Sequence, residues 1–184
     1  MFPKNFTLKN GQTLSIREAV RTDAKPLLDF FNQAGGETDF LTFGANEFQM
    51  TAAELAEFIQ KCADTSNTLM LVGEVEGKIA GSLTFKGGER KRVEHTGEFG
   101  ITVAREYWGL GIGPRLIEAL IEWARATDII RKINLRVHQS NSRAIELYRR
   151  LGFEEEGFIT REYMIDGQFY GNIFTILQET TGEI

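Results

Sequence analysis

Short runs of alternating apolar and polar residues recur along the chain, between longer stretches whose apolar residues repeat every three or four positions. The first pattern is typical of β-strands and the second of amphipathic α-helices. Strands are predicted at residues 14–18, 69–75, 78–85, 93–104 and 133–137, with two more within 153–177. Helices are predicted at residues 22–31, 51–62, 113–126 and 141–151.

Turn and capping residues support these boundaries. Thr51 with Glu54 three positions later forms a capping box, which predicts the start of the second helix. The pairs at residues 76–77 (Glu-Gly) and 166–167 (Asp-Gly) are typical of tight hairpin turns. Asn141 and Gly152 are suited to cap the two ends of the last helix.

The predicted order is one strand, two helices, three antiparallel strands, helix, strand, helix and two strands. This order indicates a mixed α/β fold with a mostly antiparallel central sheet flanked by helices. The chain of 184 residues has the length of one domain, so we expect residues 1–184 to form a single domain. Residues 32–50, rich in Gly, Thr and Phe, are predicted to be a long loop that carries function.

Composition narrows the functional classes. The net charge of -5 argues against nonspecific binding to a nucleic-acid backbone and favours a cationic partner. No run is apolar enough for a membrane helix and the first residues lack a secretory h-region, so we expect a cytoplasmic protein that does not bind membranes. The single cysteine, Cys62, has no partner for a disulfide, and we expect no metal site.

Three alternating glycines follow the third antiparallel strand, in the segment Tyr-Trp-Gly-Leu-Gly-Ile-Gly-Pro at residues 107–114. Glycines without Cβ atoms let backbone N–H groups converge just before a helix N-terminus, which predicts a phosphate or pyrophosphate site. A tight turn without a ligand remains the alternative. The late position of this segment argues against a dinucleotide-binding fold, and no Gly-Lys-Ser/Thr follows it.

Together, the strand at residues 99–103, the glycine turn and the helix Asn-Ser-Arg-Ala-Ile-Glu-Leu-Tyr-Arg-Arg-Leu-Gly-Phe at 141–153 resemble the core of the GNAT superfamily of N-acetyltransferases. The resemblance is strongest to its branch of ribosomal-protein N-terminal acetyltransferases. It implies acetyl-CoA as the acyl donor and a primary amine, of a small molecule or a protein N-terminus, as the acceptor. The residues that it implies for the donor are Ile101, Thr102, Val103, Trp108, Gly109, Leu110, Gly111, Ile112, Gly113, Pro114 and Asn141.

The resemblance also implies catalytic groups. Tyr148 matches the family tyrosine that resembles a general acid for the departing thiolate, with a packing aromatic as the alternative. Glu98 is the candidate general base, with Glu94 as a second choice, and both could be exposed strand residues. The two histidines, His95 and His138, could act as bases, although a lone histidine is more often a surface or packing residue.

Acidic residues cluster before the second helix and within it. Between Lys25 and Lys61 the chain has six acidic and no basic residues. We expect Glu37 and Asp39, beside Phe40, to attract a cationic amine at the acceptor site, while a solvated acidic loop is the alternative.

Three further questions stay open from the sequence. A sensor or interaction domain without turnover could use the same fold, and the acyl donor could be longer than acetyl. Apolar residues on both faces of residues 158–177 favour a homodimer through that end of the chain, although core packing explains the same pattern.

Overall fold

The computed structural model describes residues 1–178, and these residues form strands and helices in alternation along the chain. The strands are β1 (Lys4–Thr7), β2 (Thr13–Glu18), β3 (Thr68–Val75), β4 (Lys78–Gly87), β5 (Thr96–Val103), β6 (Lys132–His138), β7 (Glu154–Ile165) and β8 (Gln168–Gln178). The helices are α1 (Ala24–Gly35), α2 (Ala52–Ala63), α3 (Ile112–Thr127) and α4 (Ser142–Arg150). Two short 3-10 helices, Arg21–Asp23 and Arg105–Tyr107, precede α1 and the glycine turn.

The strands within residues 1–178 form one sheet in the order β1-β2-β3-β4-β5-β6-β8-β7. Neighbouring strands are antiparallel except β5 and β6, which are parallel. The predicted mixed, mostly antiparallel sheet is therefore confirmed. The parallel pair lies in the middle of the sheet and is the element that positions the site.

Helices cover both faces of the sheet. On one face, α3 and α4 bury Leu116, Leu120 and Tyr148 against apolar residues of the strands, such as Leu83 and Phe99. On the other face, α1 and α2 form a second core of Leu27, Phe30, Leu55 and Ile59 with Met70 and Val72 of β3. Successive side chains of a strand point to opposite faces, so each strand contributes alternate residues to each core.

The predicted turns and caps are confirmed. Thr51 Oγ1 accepts a hydrogen bond from the backbone N–H of Glu54, whose carboxylate accepts from the N–H of Thr51. Both hairpin turns, at residues 76–77 and 166–167, have positive φ angles at both positions. Gly152, with φ of 88°, follows α4 in the left-handed region that a C-cap glycine adopts.

Three boundaries differ from the predictions. The strand β1 was not predicted, because its residues Lys-Asn-Phe-Thr include only one apolar side chain. It pairs with β2 at the edge of the sheet. Strand β5 begins at Thr96 rather than at Val93. Val93 belongs to a turn, in which its N–H donates to the carbonyl oxygen of Arg90.

The first helix also differs. It was predicted over residues 22–31 with Thr22 and Asp23 as its N-cap. The helix α1 does begin directly after Asp23, at Ala24, but it continues to Gly35. The Asp23 carboxylate does not cap it. That carboxylate accepts a hydrogen bond from the backbone N–H of Val20 and from the Arg17 guanidinium, because a buried ion partner outcompetes the helix amide.

Within residues 1–178, none of the helices is long and apolar enough to cross a membrane.

Candidate active site

Strands β5 and β6 separate along their length and leave a gap in the sheet. They pair only through residues 96–98 and 132–134. Beyond that point β5 stays paired with β4 as far as Val103, and β6 stays paired with β8 as far as His138. The facing edges of β5 and β6 therefore carry unpaired backbone N–H and C=O groups, which suit a ligand that contains amide groups. Ile101, Thr102 and Val103 lie on this open edge of β5.

The glycine turn closes the wide end of the gap. Gly109 and Gly111 have φ angles of 86° and 100°, in the region that glycine adopts without steric cost. The N–H groups of Gly109, Gly111, Ile112 and Gly113 have no protein partner within residues 1–178. These N–H groups lie at the N-terminus of α3, where the helix dipole adds a partial positive charge to that of the amides. The turn can therefore hold a phosphate or pyrophosphate.

Three predicted residues of the turn offer no free backbone donor. The N–H of Trp108 donates to the carbonyl oxygen of Arg105 at 3.1 Å. The N–H of Leu110 donates to the carbonyl oxygen of Tyr107 at 3.4 Å. Pro114 has no N–H group, and its place in the first turn of α3 is one where that absence costs nothing. Four amides within 109–114 are thus available for an anion.

Trp108 has an uncharged side chain and contributes to the site through a hydrogen bond of its indole ring. Its Nε1–H donates to the carbonyl oxygen of Val103 at 2.7 Å, and the side chain is 39% exposed. The Arg105 guanidinium lies over its ring at 5.8 Å. The indole therefore ties the glycine turn to the end of β5.

A cation that was not predicted lies at the glycine turn. A Cβ atom placed on Gly109 would lie 3.7 Å from Nη2 of Arg143, which belongs to the first turn of α4. A guanidinium beside converging amides favours an anion with more than one negative charge. The signal was present in the sequence, because Arg143 lies inside the segment at 141–153 that carried the resemblance.

Asn141 stands at the start of α4. Its Oδ1 accepts a hydrogen bond from the N–H of Ala144 at 3.2 Å, as an N-cap residue does. Its Nδ2 has no partner within the described residues and remains available as a donor.

Tyr148 lies beneath the gap, on the face covered by α3 and α4. Its ring contacts Phe99 and Phe153, with centroids 6.1 Å and 5.9 Å away, and the residue is 7% exposed. Its hydroxyl has no hydrogen-bond partner among residues 1–178. Burial raises the pKa of Tyr148 above its ordinary value, so the hydroxyl stays protonated and can donate a proton.

Glu98 lies on the opposite face of the sheet, since it alternates with the buried Phe99. Its Oε1 is 3.2 Å from Nε of Arg136, and the side chain is 40% exposed. Nη1 of Arg136 also donates to Glu162 Oε1 at 2.5 Å. Tyr148 and Glu98 thus flank the gap from its two faces, and Glu98 Oε2 has no partner in the described part of the chain.

The acidic loop residues have different surroundings. Glu37 Oε2 accepts from the N–H of Arg105 at 2.7 Å and its Oε1 accepts from Gln33, so both oxygens hold the end of α1 to the 3-10 helix. Phe40 is 37% exposed and lies over the ring of His138, with centroids 5.4 Å apart. Asp39 is close enough to raise the pKa of His138.

His138, a possible base or a packing residue from the sequence, lies on the same face of the sheet as Glu98. It is 4% exposed, and its Nε2 is buried without a hydrogen-bond partner. Burial lowers the pKa of His138, against the smaller opposite effect of Asp39. The signal available beforehand was its position at the end of a buried strand, three residues before Asn141.

Comparison with known proteins agrees with this geometry. The model of the acetyltransferase (GNAT) family matches residues 37–153. A GNAT-family acetyltransferase from Streptococcus pneumoniae has a similar structure, with a TM-score of 0.88 and 36% identity over 90% of this chain and 99% of that chain. The ribosomal-protein-alanine N-acetyltransferase of Brucella melitensis has a TM-score of 0.78 and 25% identity over 89% and 99%.

A sequence relative covers most of the chain as well. The spermidine N(1)-acetyltransferase of Escherichia coli K12 is 25% identical over 162 residues, which is 88% of this chain and 84% of that protein. The family match spans the open edge of β5, the glycine turn and α4, which are the elements that build the site. The chain belongs to the acetyltransferase (GNAT) family.

Proposed function

We propose that this acetyl-CoA-dependent N-acetyltransferase transfers the acetyl group to a primary amine by direct attack, with donor and acceptor bound together. The observation that carries the proposal is the gap between β5 and β6, which pair only through residues 96–98 and 132–134. An amine on the Glu98 face could reach the thioester of acetyl-CoA bound in the gap. Tyr148 would lie near the thioester sulfur on the other face. A covalent acyl-enzyme is not required.

The donor would be bound mainly by backbone groups. Along the open edge at Ile101, Thr102 and Val103, the N–H and C=O of Ile101 and the N–H of Val103 would bind the amides of the pantetheine arm. The backbone groups of Thr102 face β4, and the C=O of Val103 already accepts from Trp108. The four free amides within 109–113 and the Arg143 guanidinium would hold the pyrophosphate. The free Nδ2 of Asn141 would donate to a pantetheine carbonyl.

In the reaction, the amine nitrogen forms a bond to the thioester carbon and the carbon–sulfur bond then breaks. The Tyr148 hydroxyl would give its proton to the departing thiolate, a role suited to a buried hydroxyl without a partner. Glu98 would take the proton that the amine loses, either directly or through a water molecule, at its free Oε2. The products are an N-acetyl amine and coenzyme A.

The acceptor is a small-molecule amine or the N-terminus of a protein. Asp39 and Phe40 border the face on which Glu98 lies, which supports their proposed role in attracting a cationic amine. Glu37 would contribute its charge from a distance, because its two oxygens already accept from the backbone N–H of Arg105 and the side-chain amide of Gln33.

A homodimer through the β7–β8 hairpin is part of the same proposal. Phe158, Met164 and Phe169 are 55%, 69% and 57% exposed on this hairpin. Large apolar side chains in water favour association with a complementary surface.

Acetyl-CoA binding measured by calorimetry tests the donor site. The variant Gly111→Ala places a methyl group among the amides of the turn, and we expect it to weaken acetyl-CoA binding at least about tenfold. Gly77→Ala is the matched control, since Gly77 also has a positive φ and open space around a new Cβ, but lies in the β3–β4 turn. Equal affinity in both variants, or no binding by the unmodified protein, would refute the donor site.

A free-thiol assay with a panel of amines then tests transfer. Release of coenzyme A that depends on an added amine supports catalysis. Tight acetyl-CoA binding without turnover on any amine would instead identify a sensor domain.

A further inference from the structure

Two buried polar atoms without partners lie side by side on neighbouring strands. His138 Nε2 and Asn172 Oδ1 are both buried and neither has a hydrogen-bond partner. The two residues are directly opposite each other in the pairing of β6 with β8. Buried polar groups are almost always hydrogen-bonded, so a pair of exceptions at one place points to a missing partner.

The surroundings determine which of the two atoms is a donor. The backbone N–H of Ser140 donates to Nδ1 of His138 at 3.3 Å, and Ser140 Oγ lies 2.9 Å from the same atom. A backbone N–H can only donate, so Nδ1 is the acceptor and the neutral ring carries its proton on Nε2. The lowered pKa of His138 keeps the ring neutral at pH 7.

Asn172 is oriented by a carboxylate. Its Nδ2 donates to Glu162 Oε2 at 2.7 Å, and Glu162 is held by Arg136. A carboxylate can only accept, so the amide oxygen of Asn172 is the free atom and is an acceptor. His138 and Asn172 thus present one donor and one acceptor, which are the complement of a C=O and an N–H group.

Access to this pair is controlled by one exposed side chain. Rings of Phe40, Tyr163 and Tyr170 surround His138, with centroids 5.4, 5.3 and 5.1 Å away. Tyr163 and Tyr170 belong to the β7–β8 hairpin, whereas Phe40 lies between α1 and α2 in a segment without helix or strand. Phe40, 37% exposed, is the most exposed of the three rings around the imidazole.

The pair lies at a useful distance from the proposed base. Asn134, Arg136 and His138 share one face of β6, and Asn134 pairs with Glu98. Asn134 and His138 are four positions apart on β6, which is about 13 Å between Cα atoms. Arg136 lies between them on the same face and contacts Glu98 and Glu162, so an acceptor that reaches from Glu98 to His138 would pass over its guanidinium.

We propose that His138 and Asn172 bind a secondary amide of the acceptor, on the same molecule as the amine that Glu98 serves. The inference rests on the proposed function and narrows its acceptor to an amine followed by an amide, such as the first residues of a peptide. A polyamine has no carbonyl oxygen to accept from Nε2–H. A free carboxylate would lie close to Asp39 and Glu162, whose charges oppose it.

Three probes of similar size test the proposal. The dipeptide amide Ala-Ala-NH₂ offers a peptide group, N-(3-aminopropyl)acetamide offers a secondary amide without a peptide backbone, and 1,3-diaminopropane offers none. We expect the unmodified protein to have the lowest KM for a probe that carries a secondary amide. Comparison of the first two probes decides whether a peptide or any amide is recognised.

The variants are His138→Phe, which keeps the ring and loses the donor, and Asn172→Leu, which keeps the size and loses the acceptor. Each should raise the KM for the preferred amide probe about tenfold, because the amide is then left with an unpaired group. The kcat for that probe, the KM for diaminopropane and the affinity for acetyl-CoA should change by less than about twofold. His95→Phe makes the same substitution at the exposed histidine and should change none of these values.

The outcomes separate the two proposals. Equal effects of His138→Phe on the amide probe and on diaminopropane would overturn the amide site and leave the acetyl transfer in place. A wild-type preference for diaminopropane would do the same. Failure of the unmodified protein to acetylate any of the probes, with acetyl-CoA bound, would overturn the proposed transfer to amines, and the amide site with it.

Discussion

At the scale of single residues, the two faces of the gap differ in chemistry. Tyr148 lies in an apolar environment of aromatic rings, which keeps its hydroxyl protonated. Glu98 lies beside Arg136 at a partly exposed position on the other face. A proton donor on one face and a proton acceptor on the other are what amine acetylation requires.

Removal of the Tyr148 hydroxyl tests the first of these roles. Tyr148→Phe keeps the ring packed against Phe99 and Phe153, and the lost hydroxyl leaves no protein partner unpaired. We expect kcat to fall by about 10²-fold or more, as for loss of a general acid, with the melting temperature nearly unchanged. Turnover measured by thiol release, beside a thermal melt, checks both values. Undiminished kcat would make Tyr148 a packing residue.

Replacement of Glu98 tests the second role. Glu98→Gln removes the proton acceptor and keeps the side-chain size, so we expect kcat to fall about tenfold or more while acetyl-CoA affinity is unchanged. Asp29→Gln is a suitable control, because Asp29 is an exposed acidic residue of α1 that bonds only to Lys25 in the described structure. If kcat for Glu98→Gln equals that of the control at every pH, Glu98 is not the general base and water takes that role.

At the scale of elements, buried polar contacts fix how the first helices join the sheet. Arg17 of β2 donates to Asp23 in the 3-10 helix and to Glu74 of β3. Asp23 is a buried member of this network, with a side chain 10% exposed. The network holds β2 and β3 to the segment that leads into α1, and α1 in turn carries the loop with Asp39 and Phe40.

Breaking this network should destabilise the fold in a pH-dependent way. Arg17→Met leaves the Asp23 carboxylate without its cation, and we expect a loss of about 1–3 kcal/mol in the free energy of unfolding at pH 7. Burial acts to raise the pKa of Asp23, but hydrogen bonds from Arg17 and from the N–H of Val20 outweigh it and lower this pKa.

The sign of the pH effect follows from that lowered pKa. The pKa of Asp23 is about 3.9 in the unfolded chain and lower in the folded protein. The ionised carboxylate therefore stabilises the fold above about pH 3.9, and this stabilisation is lost as the pH falls through the folded-state pKa. The difference between wild type and Arg17→Met, measured by urea unfolding, should therefore shrink between about pH 5 and pH 2. Arg21→Met breaks the exposed pair with Glu57 and should show a much smaller change, because solvent screens that pair. A difference independent of pH would exclude Asp23 as the cause.

At the scale of the whole molecule, apolar residues remain exposed at one end. The hairpin of β7 and β8 continues beyond the part of the sheet that α3 and α4 cover, and most of β7 is exposed. Phe158, Met164 and Phe169 lie there. The same hairpin supplies Tyr163 and Tyr170 to the rings around His138, so association through it would bear on the acceptor side of the site.

The double variant Met164→Glu and Phe169→Glu tests association. We expect a dimer in the unmodified protein and a monomer in the variant, because two buried carboxylates per copy oppose the contact. Sedimentation velocity measures the change, and unchanged acetyl-CoA binding shows that the fold is intact. Val20→Glu places a charge at another exposed apolar residue and should leave the mass unchanged. A monomeric wild type would contradict the proposed dimer.

Local patterns in the sequence were sufficient for most of the fold. The capping box at Thr51, the two hairpin turns and the apolar periodicity of α3 are short-range signals, and each predicted its element. The strand β1 was missed because an edge strand buries few side chains and therefore shows little alternation. The cap expected from the Asp23 side chain is absent because its carboxylate has a distant partner, Arg17, which no local pattern contains.

The sequence alone determined the glycine turn, the order of the elements after β1 and the positions of Tyr148 and Asn141, since each depends on neighbours a few residues away. Only the tertiary structure decided what faces the gap. The separation of β5 from β6, the pairing of Glu98 with Arg136 and the adjacency of His138 and Asn172 join residues 34 or more positions apart. Such contacts depend on how the strands pair across the sheet, and strand pairing is set by the packing of the whole chain rather than by its local composition.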